Sequence, residues 1–228
     1  MATIQDKEFG AISVRRMARS NSMRATVAPS GGLRLSVPPY APMFMVKRMI
    51  ASSRSELRRL MDMRPALELT DGMSIGKSHT LLIRQGSTVS VKKSGLHVIL
   101  TLGSDDTPHD QTIKETVRSH MLAALRKEAK AHLPKRISYL AKTHGFTYSS
   151  LRFTHASSRW GSCNNKQAIS LNIALMNLPF ELIDYVLIHE LSHTKQLNHS
   201  KDFWSEVERA DPNFKSHRAQ LKRYNPAV

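Results

Sequence analysis

Five consecutive residues in an apolar stretch have the types and the spacing that metal-ion chemistry requires, namely His189-Glu190-Leu191-Ser192-His193. In a helix, His189 and His193 lie above one another on a single face, because residues four positions apart are neighbours. Two such imidazoles can bind one metal ion through nitrogens at about 2.0–2.1 Å. Glu190 lies on the adjacent flank, where its carboxylate can reach a water molecule without binding the metal. The spacing is therefore typical of a zinc hydrolase.

A purely structural interpretation competes with this one. Two core histidines can be hydrogen-bonded to backbone carbonyls while Glu190 faces the solvent. However, two inward-facing histidines beside an inward-facing carboxylate are costly without a polar partner or a metal ion. The three residues together therefore favour the metal site.

A catalytic zinc ion takes three protein ligands and keeps one position open, so a third ligand is needed. His199 lies ten residues after His189, and the chain must turn back within about one helical turn to present it. Asn198 can adopt the left-handed conformation that such a turn requires. The rival ligands, on the following helices, are Glu206, Glu208 and His217.

The apolar stretch itself predicts the helix that carries the motif. Asn177 can cap this helix, Pro179 suits its first turn, and Glu181 and Asp184 suit the N-terminal end of the helix dipole. Apolar residues recur at helical spacing, at Leu182, Ile183, Val186, Leu187 and Leu191. We therefore expect a buried helix whose histidines point inward.

The rest of the chain predicts an α+β fold. Residues 1–12 show no periodicity and are expected to be disordered. Residues 13–106 alternate in the manner of strands around one helix, which predicts an antiparallel, β-rich part. Residues 107–228 are expected to form a helical part with a small sheet and an active-site helix, either as a second domain or continuous with the first. A helix that begins near residue 111 is expected to kink or split at Pro134.

Charge and composition restrict the class of protein. The net charge is +16 and the sequence pI is about 10.3, so the protein attracts polyanions and non-specific contact with nucleic acid is expected. A solvated basic surface that aids solubility explains the same charge equally well. No apolar run approaches the ~20 residues that span a bilayer, and the N-terminus lacks the apolar core of a secretory signal. Cys163 is the single cysteine, so no intrachain disulfide can form. This leaves the compartment open, and the cytoplasm is the default expectation.

Further motifs surround the histidine motif: Arg159-Trp160-Gly161-Ser162-Cys163, Leu171-Asn172, Asn198-His199-Ser200 and Phe203-Trp204. The first of them lies in a segment, residues 158–165, that is predicted to be a polar loop. Together these segments resemble the YgjP-like metallopeptidase-domain family, and the likeness is dense from about Tyr148 to Val207. Members of this family are zinc-dependent hydrolases related to SprT-like and other zincin proteases. The resemblance implies a zincin-like second half with His189, His193 and His199 as metal ligands and Glu190 as the general base. It leaves the substrate open.

We therefore expect a zinc metallopeptidase in which Glu190 takes a proton from the attacking, metal-activated water and passes it to the leaving amine. Arg159 is a candidate for stabilising the oxyanion or binding an anionic substrate group, and the alternative is that it stacks on Trp160 for packing. Both residues are candidate substrate contacts. The strand predicted at 168–173 is expected to supply the edge on which an extended peptide lies. Cys163 is expected to be a buried small residue.

Two other classes of function stay open. A metal-dependent hydrolase of nucleotides or other phosphoanhydrides would suit the positive charge and Arg159, although such substrates usually call for Mg²⁺ and carboxylate ligands. A zinc-stabilised, nucleic-acid-associated protein without enzymatic activity ranks third, because structural zinc sites are usually rich in cysteine. The oligomeric state is open as well.

Overall fold

The computed structural model describes residues 2–18, 20–27, 32–62 and 67–227. The chain divides into two compact units, residues 1–67 and 68–228. The domain boundary expected at 106/107 therefore lies inside the second unit. The reason is that the sheet formed by residues 74–102 packs against the long helix that follows it.

The first unit is a four-stranded sheet with two helices packed on one face. Its elements are β1 (Ala2–Asp6), β2 (Gly10–Arg16), β3 (Arg24–Val27), β4 (Leu33–Val37), α1 (Met43–Ser52) and α2 (Arg54–Asp62). The strand order is β1-β2-β4-β3. Alternate residues such as Ile12 and Leu35 are buried on the covered face, where Val46, Ile50 and Leu57 of the helices meet them.

The expected disorder of residues 1–12 is corrected by the structure, because residues 2–6 form β1 and residues 10–12 begin β2. Ile4 packs against the core of the unit. Asp6 also forms an ion pair with Arg54 of α2, in which the two atoms lie 2.9 Å apart. So short a segment, held by one apolar contact and one ion pair, has no recognisable periodicity in its sequence.

The second unit begins with a sheet of the same strand order. Its strands are β5 (Ser74–Ile75), β6 (His79–Gln85), β7 (Ser90–Ser94) and β8 (His97–Leu102), in the order β5-β6-β8-β7. In both sheets each hairpin is antiparallel, whereas the second strands of the two hairpins pair in parallel, as β2 with β4 and β6 with β8. The sheets are therefore mixed, which corrects the expected antiparallel pairing. Hairpins are local, but the way two hairpins join is set by tertiary packing.

A helix of 34 residues, α3 (Gln111–His144), crosses the second unit. Asp110 caps its first turn, and Gly145, in the left-handed conformation, ends it. The helix continues through Pro134, so the predicted split is not observed. Leu133 and Ile137 on either side of it are fully buried. Glu128 of α3 accepts hydrogen bonds from the backbone N–H groups of the β5–β6 turn and from the buried His79.

The remaining elements surround the histidine motif. They are β9 (Ser150–Thr154), β10 (Gly161–Cys163), β11 (Ala168–Asn172), a 3-10 helix (Ile173–Asn177), α4 (Phe180–Ser192), α5 (Lys201–Ala210) and α6 (Phe214–Leu221). α4 packs against α3, α5, α6 and β10. A bidentate pair, in which Arg136 donates to Asp184 over 2.7 and 2.6 Å, joins α3 to the N-terminal half of α4.

Three local predictions are corrected here. Asn177 does not cap α4; Pro179 is the N-cap residue, and the Asn177 side chain accepts a hydrogen bond from the backbone of Gly76 instead. The segment predicted as a polar loop contains strand β10. β11 is the central strand of its sheet, between β10 and β9, so it offers no free edge to a peptide. The α+β class itself is confirmed, and none of the described helices has the length and apolarity needed to cross a bilayer.

Candidate metal centre

The structure brings the three predicted histidines together. One ring nitrogen from each of His189, His193 and His199 lies within 4.8 Å of the other two. The Nε2 atoms of His189 and His199 are 3.2 Å apart. Two nitrogens bound to one zinc ion at about 2.05 Å with a tetrahedral angle lie about 3.3 Å apart, so this pair already has the spacing of two ligands of one ion.

The turn after α4 brings His199 back to the helix. Backbone hydrogen bonds close it, from Thr194 N–H to Leu191 O and from Gln196 N–H to Ser192 O. His193 Nδ1 lies 3.0 Å from the carbonyl oxygen of Gln196. Asn198 does not adopt the left-handed conformation that the sequence suggested, since Gln167 is the one non-glycine residue with positive φ in the described part of the chain.

The contact between His193 and the turn also defines which ring nitrogen is available. Because a carbonyl oxygen only accepts, His193 Nδ1 carries the proton and donates it to Gln196 O. The lone pair is then on Nε2, the other ring nitrogen. A carbonyl bonded to the distal N–H is the usual way in which proteins orient a metal-binding imidazole.

The ring of Phe203 packs against all three imidazoles. Its ring centroid lies 4.9, 4.4 and 4.8 Å from those of His189, His193 and His199. Phe203 is fully buried, and Ser200 caps the start of its helix, α5. The apolar ring therefore limits the directions from which water can reach the histidines. Sequence reasoning assigned Phe203 only to a helix and to the family motif.

Burial also keeps His189 and His193 neutral. It lowers the pKa of His189 to about 3, with smaller contributions from the charges of His193, His199 and Arg218. Burial likewise lowers the pKa of His193, an effect that the Gln196 carbonyl opposes. At neutral pH both rings are therefore unprotonated, as metal ligands must be.

Glu190 is buried beside the histidines, in contact with β10. Burial raises the pKa of its carboxyl to about 8, and the charge of Arg159 opposes this shift. Its Oε2 atom is buried with no hydrogen-bond partner among the described residues. A buried carboxyl oxygen without a partner is costly, and a water molecule or a substrate group in the site would relieve that cost.

Gly161 of β10 is what allows Glu190 to lie there. A Cβ atom at Gly161 would stand 2.6 Å from Oε1 and 2.7 Å from Cγ of Glu190. Real Cβ atoms essentially never approach other atoms so closely. From the sequence, Gly161 is only a turn residue in a loop, because the need for glycine arises from a contact with Glu190, which lies 29 positions further along the chain.

The two candidate substrate contacts lie on the segment that leads into β10. Arg159 is exposed, whereas Trp160 is half-buried. The side-chain amide of Asn172 holds this segment by donating to the carbonyl oxygens of Ala156 and Arg159. Among the described residues, the histidine rings contact Phe203, Trp204 and Tyr185, and no contact with Trp160 is found.

The rival ligands have other partners. Glu206 binds Lys195 and Arg209, and His217 Nδ1 lies 2.8 Å from Asp211 Oδ2. Glu208 lies 3.8 Å from the Lys215 amine. Cys163 is half-buried, which raises the pKa of its thiol, and it is not part of the histidine cluster.

Three further side chains lie near the histidines: Arg218 of α6, Trp204 of α5 and Tyr185 of α4. Arg218 lies over the ring of Trp204, 4.6 Å from its centroid, and Trp204 stacks on His199 at 5.8 Å. Tyr185 of α4 is buried, which raises the pKa of its phenol to about 12. These three residues surround the histidines without offering them a carboxylate.

The sequence matches the YgjP-like metallopeptidase domain over residues 21–224. The chain belongs to this family. Membership makes it a hydrolase of the metal-dependent peptidase type. Among solved structures, the metallopeptidase zymogen abylysin of Pyrococcus abyssi is similar at 27% identity, over 40% of this chain and 91% of that chain, with a TM-score of 0.37. A search of the curated proteins finds no match.

The residues present fit the metal ion that the YgjP-like family implies. Three imidazole nitrogens converge, and the Nδ1–H of His193 is already engaged with a carbonyl. One feature departs from the usual pattern: His189 Nδ1 is buried without a partner among the described residues. The proton on this ring is therefore not fixed by a carbonyl or carboxylate, as it usually is in metal sites.

Proposed function

We propose that this protein is a zinc-dependent peptidase, with His189, His193 and His199 as ligands and Glu190 as the general base. The observation that carries the proposal is the convergence of three imidazoles, two of them kept neutral by burial, beside a buried carboxyl oxygen that has no partner among the described residues. Three nitrogen ligands with one exposed side suit a catalytic zinc ion better than Mg²⁺, which prefers oxygen ligands.

When bound, a zinc ion supplies a Lewis acid that polarises the substrate carbonyl and lowers the pKa of water to about 7. Glu190 takes the proton from the attacking water on its free Oε2 atom and passes it to the leaving amine. In the metal-free site burial raises the pKa of Glu190 to about 8, and the positive charge of a bound zinc ion would lower it. Glu190 would therefore accept the proton as a carboxylate and donate it as the acid. Arg159 supplies a positive charge close to that carboxyl.

A peptide would lie along the outer edge of β10. In the pairing of β10 with β11, the backbone of Trp160 and Asn164 bonds to β11. Because antiparallel bonding alternates, the N–H and C=O groups of Gly161 and Cys163 point to the open edge, next to Glu190. Peptides N-methylated at one amide at a time test this placement: we expect KM to rise at alternate positions, and an equal KM at every position would contradict it.

The central experiment combines metal analysis with two variants. We expect wild type to hold about one zinc per chain, and Glu190→Gln to keep that zinc while losing roughly 10²–10⁴ in peptide hydrolysis. His199→Ala should lose most of the zinc. Glu208→Gln, a carboxylate on the exposed surface of α5, serves as the control and should retain both zinc and activity. Normal zinc binding by His199→Ala would exclude the three-histidine site.

An assay of the same protein on nucleoside triphosphates distinguishes a phosphoanhydride hydrolase from a peptidase. Hydrolysis of triphosphates without peptide hydrolysis, lost in Glu190→Gln, would favour a phosphoanhydride substrate. A zinc-containing protein that hydrolyses neither substrate would favour the non-enzymatic class. A chain with one cysteine forms no intrachain disulfide in any compartment; we propose the cytoplasm, which cell fractionation tests.

A further inference from the structure

The sheet of the first unit has a face that no helix of that unit covers, and this face is polar and basic. Strand residues alternate between its two faces. The covered face carries the buried apolar residues, whereas the open face presents Arg15, Arg24 and Arg34 together with Ser13, Thr26 and Ser36. We call these six residues the arginine face. Arg15, Arg24 and Thr26 are exposed, and the other three are half-buried.

Strand register places the three arginines around one point. Arg15 and Arg24 are both paired with Ser36, from opposite sides. Neighbouring strands lie about 4.8 Å apart, so the Cα atoms of Arg15 and Arg24 are separated by about 10 Å. Arg34 precedes Ser36 by two residues on the same face, about 7 Å along the strand. Three guanidinium groups therefore reach a single patch.

Among the described strand residues, no acidic side chain lies on this face to neutralise the arginines. The outward-facing residues of β1 to β4 include no Asp or Glu. Asp6 and Glu8 pair with Arg54 and Arg58 of α2, which packs on the other face. Residues 1–67 contain twelve Lys and Arg against four Asp and Glu, a net charge of +8, so half of the charge of the whole chain is in this unit.

The chemistry of the face restricts what it can bind. Guanidinium forks and hydroxyl groups are the donors that proteins use for phosphate oxygens. A membrane surface requires apolar side chains that insert between lipids, and a stable protein interface requires an aromatic or aliphatic centre. The largest apolar side chain that the described strands present on this face is Ala11. Aromatic rings for base stacking are missing from the outward positions of these strands as well.

We propose that the arginine face binds nucleic acid through its phosphate backbone, without reading the base sequence. The binding would be electrostatic, tolerant of sequence and strongly dependent on salt. It does not depend on the peptidase activity proposed above, because all eleven histidines of the chain lie in the second unit.

The test compares two triple variants of the full-length protein. The first is Arg15→Gln with Arg24→Gln and Arg34→Gln, which removes three charges but keeps long polar side chains. The matched control is Lys92→Gln with Lys93→Gln and Lys127→Gln, three exposed lysines of the second unit. Binding of a fluorescent DNA duplex is followed by anisotropy between about 50 and 200 mM salt, the range in which phosphate contacts are lost.

We expect the slope of log K against log salt to fall by about 2.7 in the arginine variant, because each phosphate contact contributes about 0.9. The slope of the control variant should differ from that of wild type by no more than about 0.9, the contribution of one phosphate contact. Thr26→Glu, which adds a carboxylate to the patch, should weaken binding too. Circular dichroism and zinc content confirm that each variant is folded.

Three results would overturn the proposal. An equal loss of slope in both triple variants would mean that net charge alone attracts the duplex. Failure of the wild-type protein to bind the duplex would show that nucleic acid is not its ligand. Stronger binding to phosphatidylserine vesicles than to the duplex, abolished in the arginine variant, would assign the face to a membrane surface instead.

Discussion

At the scale of single residues, the sequence was informative where the spacing lies within one element. His189 and His193 are four positions apart in a helix, so their convergence follows from helical geometry. His199 follows only from the additional need for a third ligand. Gly161 and Phe203 were missed as site residues, because their roles depend on contacts with α4 from elements distant in the chain.

Gly161 yields the sharpest prediction at this scale. Gly161→Ala would place a Cβ atom against Oε1 and Cγ of Glu190, so the carboxylate must move away from its present position. A displacement of about 1 Å can cost about 10²-fold in rate. We therefore expect kcat to fall by about that factor, while zinc content and KM change little.

Gly32→Ala is the control for this substitution. A Cβ atom at Gly32 would lie 3.5 Å from the nearest atom, Ala11 O, which is an ordinary contact, and its φ is not in the left-handed region. Zinc loss in Gly161→Ala would indicate collapse of the site instead of a displaced base. Unchanged kcat would show that Glu190 does not need its observed position.

At the scale of elements, residue types predicted where helices and strands occur better than they predicted how the strands pair. Ser200 caps α5 and Gly145 ends α3, both as their residue types indicate. The joining of hairpins through parallel inner strands has no local signal, since it depends on which apolar faces meet during folding. β10 was missed for a related reason: its three residues acquire a strand conformation only by pairing with β11.

At the scale of the whole molecule, the two units divide the chemistry between them. The candidate metal centre and every histidine lie in residues 68–228, whereas residues 1–67 concentrate positive charge. Composition indicated the basic character of the chain, but it did not indicate that charge gathers on one sheet face. Strand register supplies that information, because it decides which side each arginine occupies.

The stability of the molecule without metal should depend on pH through two groups in the site. The pKa of Glu190 is raised to about 8 in the folded state from about 4.5 when unfolded. The protonated carboxyl is therefore favoured by folding, and its contribution is present at low pH and is lost as pH rises to about 8. The pKa of His189 is lowered to about 3, so its contribution is present above about 6.5 and is lost as pH falls.

Glu190→Gln separates these two effects, because an amide does not titrate. Urea unfolding of the metal-stripped protein should show the variant gaining stability over wild type between about pH 5 and pH 8.5. Each unit of pKa shift corresponds to about 1.4 kcal/mol, so this gain can reach several kcal/mol. Glu208→Gln, which removes an exposed carboxylate, should show no comparable change with pH. A constant difference between Glu190→Gln and wild type from about pH 5 to pH 8.5 would mean that burial does not raise the pKa of Glu190 in the metal-free protein.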